Sequence, residues 1–268
     1  MLIDSHSHSR FSHDGISSAD SMSRRAEDMG LVYYALTEHY DLDYLHGKEE
    51  KFARQLNIDK YGKYIKLKRS LNSRTNYGLE CGYNRETVSE YEKAVKKINP
   101  DVVISSVHTI DGAEAYFGRA IRGKTLKQCY GEYLNLVLES AKVDYADIIG
   151  HFGYITRYAE KYRFFPDTRL YRAEFYDMTD EILKTIIDEG KTLEINTNTS
   201  EKYGFLPEKP ILERYRQLGG ENITFGSDAH SAGHIAEKYS LARDIALSLG
   251  YKYWTVYRQR QMRKIKIL

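Results

Sequence analysis

Six of the nine histidines in this chain stand just beyond short segments rich in apolar and β-branched residues. His6 and His8 follow Leu2–Asp4, His39 follows Leu31–Leu36, His108 follows Val102–Val107, His151 follows Asp147–Gly150, and His230 follows Ile223–Gly226. Glu80 closes Asn76–Glu80, and Asp228 lies two residues before His230. In His6-Ser7-His8 the alternation of an extended chain puts both imidazoles on one side, so two nitrogens can meet one ion. Asp228-Ala229-His230 repeats that spacing with a carboxylate in place of one imidazole. A lone H-x-H pair is a weak motif, and a single histidine is more often a hydrogen-bonded structural residue. The joint placement of six at segment ends is what points to metal.

Nitrogen and oxygen ligands without thiolate suit zinc, manganese or iron, and their number exceeds what a single ion can use. Two ions a few ångström apart can hold a hydroxide between them and clamp a phosphoryl oxygen, the design of metallophosphatases and nucleases. A carboxylate such as Glu80 can bridge two ions, which an imidazole does poorly.

The elements that must gather these side chains are seven candidate strands. They are Leu2–Asp4, Leu31–Leu36, Asn76–Glu80, Val102–Val107, Asp147–Gly150, Thr192–Asn196 and Ile223–Gly226. Helix-like stretches separate them, the pattern of parallel strands with crossover helices. A parallel barrel collects all its strand C-terminal ends on one face. Only the sixth segment, ending Glu194-Ile195-Asn196-Thr197, is read as lacking a good metal ligand.

Ser17 or Ser18 caps a helix that stops before Gly30. Thr179 starts one that runs to Asp188 and stops at Gly190, and Pro210 sits early in one ended by Gly219 and Gly220. Residues 1–268 read as one barrel domain, with excursions at about 41–72 and 152–177 over one face.

Composition excludes several classes. A chain of 268 residues with 41% hydrophobic and 29% charged content can bury a sizeable core. Forty basic residues against 38 acidic ones give no overall field for nucleic acid. No run approaches the roughly 18 apolar residues of a membrane span, and the N-terminus has no signal-peptide pattern. Cys81 and Cys129 cannot build a disulfide framework, which fits a reducing cytoplasm. The expectation is a soluble, cytoplasmic protein. Arg258, Arg260, Arg263, Lys264 and Lys266 read as a solvated tail or final strand without acidic residues close in sequence. Composition gives no reason for the 24 tyrosines.

Asp4-Ser5-His6-Ser7-His8, Thr37-Glu38-His39, Gly78-Leu79-Glu80, Ser106-Val107-His108, Gly150-His151 and Gly226-Ser227-Asp228-Ala229-His230 occur in that order along the chain. In these motifs the sequence resembles the polymerase and histidinol phosphatase (PHP) superfamily over nearly its whole length. Val107-His108-Thr109-Ile110-Asp111-Gly112 and Glu194-Ile195-Asn196-Thr197, with the chain's size, make it most similar to the monofunctional histidinol-phosphatases. The resemblance implies an α/β fold, a distorted TIM-like barrel of seven β/α units with three divalent ions (manganese, zinc or iron) at the strand C-terminal ends.

It also implies how the ligands divide: His6, His8, Glu80 and Asp228 around one ion; Glu80, His108 and His151 around a second; Asp14, His39 and His230 around a third. The family position after Phe11-Ser12 holds His or Asp, and counting eight residues on from His6 selects Asp14. His13 is then a pocket neighbour, in contact with substrate, or a surface histidine. His46 and His234 match no motif and read as structural.

The implied reaction is hydrolysis of L-histidinol phosphate to L-histidinol and phosphate in histidine biosynthesis. Asp228 and His230 are the candidates for proton transfer. Arg157, six residues past His151, is the candidate phosphate binder, because a guanidinium can meet phosphate with two parallel hydrogen bonds. Asn196 is the candidate for the amino alcohol end. Three readings compete: a phosphoesterase for nucleotides, sugar phosphates or phosphotyrosine; a metal hydrolase of amides or bases; and a non-catalytic metal-binding module. The oligomeric state is not written in the sequence.

Overall fold

The computed structural model describes residues 1–42, 55–199 and 204–268. Seven strands form one sheet in chain order: β1 (Ile3–Asp4), β2 (Tyr33–Tyr40), β3 (Asn76–Gly82), β4 (Val102–Ser106), β5 (Ile148–Ile149), β6 (Thr192–Asn196) and β7 (Ile223–Gly226). Every neighbouring pair is parallel. The sheet closes on itself where the first and last strands meet. Ser5 N–H donates to Phe225 O at 2.9 Å, Asp228 N–H to His6 O at 2.8 Å and His8 N–H to Ala229 O at 2.8 Å. The fold is therefore the α/β barrel expected, with all seven strands where their apolar runs lie.

Strand ends differ from the sequence reading at β2. It continues through Thr37-Glu38-His39-Tyr40, because Thr37 to Tyr40 stay in register with Gly78 to Cys81 of β3. His39 thus stands within a strand rather than after it. All residues of β3, β4, β6 and β7 are buried, which is why these segments read as continuous apolar runs and not as alternating ones.

Among the described residues the helices around the sheet are α1 (Ala19–Asp28), α2 (Ile58–Ser70), α3 (Val88–Ile98), α4 (Leu126–Ser140), α5 (Tyr154–Lys161), α6 (Tyr176–Asp188), α7 (Lys209–Gln217) and α8 (Tyr239–Ser248). Ser18 caps α1, its side chain accepting from Ser21 N–H. Thr125 and Gln128 form a reciprocal capping box on α4. Thr179 does not start its helix. A 3-10 turn at Ala173–Phe175 leads straight into α6, so Thr179 lies buried in the first turns. Between β2 and β3 the stretch 41–72 contains α2, and its residues 43–54, with His46, lie outside the described ones. The stretch 152–177 holds α5 and the start of α6.

The basic C-terminal segment forms an antiparallel hairpin of β8 (Tyr253–Arg258) and β9 (Gln261–Lys266). Arg260 Nε lies 2.6 Å from Asp147 Oδ2, so an acidic partner absent nearby in sequence is supplied by the start of β5. The tyrosines also find a reason. Tyr61 donates to Leu36 O and Gly78 O, Tyr91 to Gly82 O, Tyr33 to Tyr257 O and Tyr130 to Thr168 O. Each ring adds to the core while its hydroxyl satisfies a backbone carbonyl.

Candidate metal centre

The histidines and carboxylates converge at the C-terminal mouth of the barrel. His6 Nε2 and His8 Nε2 point to one spot, 3.0 Å apart, as the alternating backbone requires. Asp228 Oδ1 lies 3.2 Å from His8 Nε2 and 3.8 Å from His6 Nε2. Glu80 Oε2 lies 3.2 Å from His6 Nε2, 3.4 Å from His8 Nε2 and 3.0 Å from His39 Nδ1. The other oxygen, Oε1, stands 3.1 Å from His108 Nε2 and 2.8 Å from His151 Nε2. One carboxylate from the middle of β3 therefore serves two clusters. A third cluster has Asp14 Oδ2 at 3.0 Å from His230 Nε2 and 3.7 Å from His39 Nε2. His13 lies at the rim, its Nε2 3.8 Å from Asp14 Oδ2.

A cation fits these clusters. Glu80 Oε2 is fully buried with three imidazole nitrogens around it, yet it accepts no hydrogen bond. Burial of an anionic oxygen in that state is costly unless a positive charge faces it. His6, His8 and Asp228, and separately Glu80, His108 and His151, place one donor atom each within 4.8 Å of one another, as do His8, His39 and His230. Neutral nitrogens and carboxylate oxygens without sulfur suit a divalent ion of zinc, manganese or iron type.

Charge is unevenly distributed among the donors. Burial, then the neighbouring charges of His39 and His230, lowers His8 to about 3, so the ring is neutral and one of its nitrogens keeps a free lone pair. Burial opposes charge on His6, but Glu194, Glu80 and Asp228 outweigh it and raise the pKa well above the ordinary value, so the ring is held cationic until a divalent ion would take the place of its Nε2 proton. Burial likewise disfavours ionised Glu80 and Asp228, and the surrounding imidazoles hold both carboxyls well below their usual range.

Supporting contacts fix the loops that carry the donors. Glu38 is not a donor to the clusters. Its oxygens accept from Ser9 N, Ser9 Oγ, Ser12 N and Ser12 Oγ at 2.5–3.1 Å, shaping the turn that delivers His13 and Asp14. Asp4 holds the far side of the seam, accepting from Ser227 N at 3.0 Å, Ser227 Oγ at 2.5 Å and Ala236 N at 2.9 Å. Asp228 has φ 53°, a left-handed conformation that non-glycine residues adopt at some cost. Its N–H bond to His6 O holds it there.

Arg157 projects from α5 and is half-buried, with Nη1 donating to Asn198 O at 2.7 Å. Asn198 Nδ2 in turn lies 3.2 Å from Asp228 Oδ2, so the guanidinium is one residue removed from the clusters. A cavity of about 360 Å³ elsewhere on the surface touches none of the donors, whereas one of about 320 Å³ is lined by Asp228, His230, Asn198, Thr197 and His234. Asn196 is turned inward. It is 1% exposed, its amide donates to Glu194 Oε1 at 3.2 Å, and its oxygen accepts from Asn198 N at 2.9 Å. His234 is exposed and pairs with Ser231 Oγ.

Two acids escaped the sequence reading. Asp41 lies with Oδ2 2.9 Å from His39 Nδ1 and Oδ1 3.2 Å from His108 Nδ1. His39-Tyr40-Asp41 has the same one-residue gap as His6-Ser7-His8, and that gap was the available signal. Glu194, passed over at the sixth strand end, is buried against His6 and His151.

Comparison with known proteins agrees with this geometry. The PHP domain family matches residues 4–198. A protein of Clostridium acetobutylicum named probable histidinol-phosphatase is 30% identical over 256 residues, spanning 94% of this chain and 95% of that one. The histidinol-phosphatase of Lactococcus lactis subsp. lactis is 29% identical over 260 residues, covering 93% of this chain and 91% of its own length. A crystal structure of histidinol phosphate phosphatase from Lactococcus lactis, complexed with zinc, L-histidinol and phosphate, matches with a TM-score of 0.82 at 26% identity over 98% of both chains. With its motifs in order, its barrel closed and its donors gathered at the strand ends, this chain belongs to the PHP domain family.

Proposed function

We propose that this chain is a metal-dependent phosphomonoesterase that hydrolyses L-histidinol phosphate to L-histidinol and phosphate. The observation that carries the reading is the position of Glu80, with one oxygen in each of two donor clusters only a few ångström apart. Paired sites of this kind suit the in-line displacement of a phosphate ester. The choice of substrate is supported by the names of the relatives and by the zinc, L-histidinol and phosphate in the Lactococcus structure.

In this reading His6, His8, Glu80 and Asp228 hold one ion, Glu80, His108 and His151 a second, and Asp14, His39 and His230 a third. When bound, such ions supply Lewis acidity toward phosphoryl oxygens and a nucleophile at neutral pH. Asp228 and His230 stand beside the opening, where water would lose a proton and the leaving alcohol would gain one, and are the candidates for that transfer. Arg157 binds the phosphate, and His13 borders the substrate. Asn196 acts by bracing Glu194 and the loop that carries Asn198. Residues 1–268 work as one barrel unit, with a cytoplasmic place in histidine biosynthesis. Among the described residues no helix is long and apolar enough to cross a membrane.

The test is phosphate release from L-histidinol phosphate with zinc, manganese or iron added, beside a chelated control and a panel of other phosphomonoesters. Selective, chelator-sensitive release is expected; faster release from a nucleotide or sugar phosphate would overturn the substrate. Arg157→Ala is expected to raise KM and lower kcat/KM by about 10- to 100-fold, the worth of a charge-assisted hydrogen bond of roughly 1.5–3 kcal/mol. An unchanged kcat/KM would remove Arg157 from the phosphate.

A further inference from the structure

Glu194 lies on β6 with no exposure. Its Oε1 is 2.6 Å from His6 Nδ1, and its Oε2 accepts the backbone N–H of His151 at 2.5 Å. Asn196 Nδ2 also donates to Oε1. Both oxygens are engaged by the protein. The carboxylate grips the ring of one donor and the backbone of another, and these two donors belong to different clusters.

A carboxylate accepts and cannot donate, so its partner Nδ1 carries the proton. The lone pair of His6 then resides on Nε2, the atom that faces His8, Glu80 and Asp228. Metal-ligating histidines are commonly oriented by a carboxylate on the other ring nitrogen. Space for this contact comes from β7. A Cβ on Gly226 would lie 2.0 Å from Glu194 Oε1 and 2.6 Å from His6 Cβ, so any side chain there would displace the carboxylate.

We infer that Glu194 is a positioning residue that fixes the tautomer and aim of His6 and seats His151 beside it, and that position 226 is glycine to let it reach. This rests on the metal-centre reading given above.

The experiment compares the wild-type protein with Glu194→Gln and Gly226→Ala. Each protein is stripped of metal, melted in the metal-free state, and titrated with zinc against a chromophoric chelator; steady-state phosphate release follows. Glutamine keeps the size of the side chain and can still accept from His151 N–H. Its amide then donates to His6 Nδ1 and shifts the ring proton to Nε2, toward the cluster. Glu194→Gln is expected to weaken one zinc ion by about 10- to 100-fold, leave the others near wild type, and lower kcat more than it changes KM. Gly226→Ala is expected to reproduce that pattern with the carboxylate still present.

Wild-type affinity at every ion in Glu194→Gln would overturn the inference. So would an equal loss at every ion together with a lowered metal-free melting temperature, the mark of a merely structural residue. If Gly226→Ala does not fold, Glu194→Gln decides alone. The zinc titration needs no substrate, so it judges Glu194 even if L-histidinol phosphate proves not to be hydrolysed.

Discussion

Glu80→Gln is expected to lower kcat for phosphate release by at least about 10³-fold and to deplete two ions together. The side chain is fully buried, and glutamine preserves its volume while removing the charge from both clusters at once. Metal assistance to phosphoryl transfer is worth several kcal/mol, and about 1.36 kcal/mol corresponds to each factor of ten in rate. Loss of about 4 kcal/mol therefore gives the stated effect. Metal content by elemental analysis and initial rates with L-histidinol phosphate check it. Full metal content in Glu80→Gln, with kcat within tenfold of wild type, would sink the shared-carboxylate assignment.

Removal of metal is the second large effect. Chelation is expected to bring phosphate release to background and to lower the melting temperature. An ion present at a hundredfold over its Kd stabilises the folded state by about 2.7 kcal/mol. At roughly 2–4 °C per kcal/mol for a chain of this size, each such ion is worth about 5–10 °C. The physical cause is the crowd of buried charges: Glu80, Asp228 and Asp41 lie among His6, His108 and the largely covered His39 with little solvent to screen them. Calorimetry before and after verified metal removal, then after zinc is restored, checks it. An unchanged melting temperature would mean that the clusters do not couple to folding.

Much of this was legible because parallel strands buried on both faces appear in sequence as apolar runs, and because a barrel sends every run's C-terminal end to one place. His6, His8, His108, His151 and Asp228 could be assembled on that rule alone. Glu194 and Asp41 could not, because their roles concern the second nitrogen of a ring whose first nitrogen drew the attention. Which nitrogen faces a carboxylate is decided by strand register, and register is set by long-range pairing. Asn196 sits one alternation step from Glu194, and its amide is held by that neighbour, a contact that no motif announces. Arg260 shows the same limit on charge, since its acid lies 113 positions earlier in the chain, at Asp147.

The seam of the barrel is sewn by the segments that carry the donors, with Asp228 N–H on His6 O and His8 N–H on Ala229 O. During synthesis the first imidazoles emerge early and must wait for partners more than 200 residues downstream. In the finished sheet Ile3–Asp4 has Tyr33–Tyr34 on one side and depends on the segment after Ile223–Gly226 for the other. A chain that stops before Asp228 lacks both the strand pairing that closes the wall and the donors that complete the site.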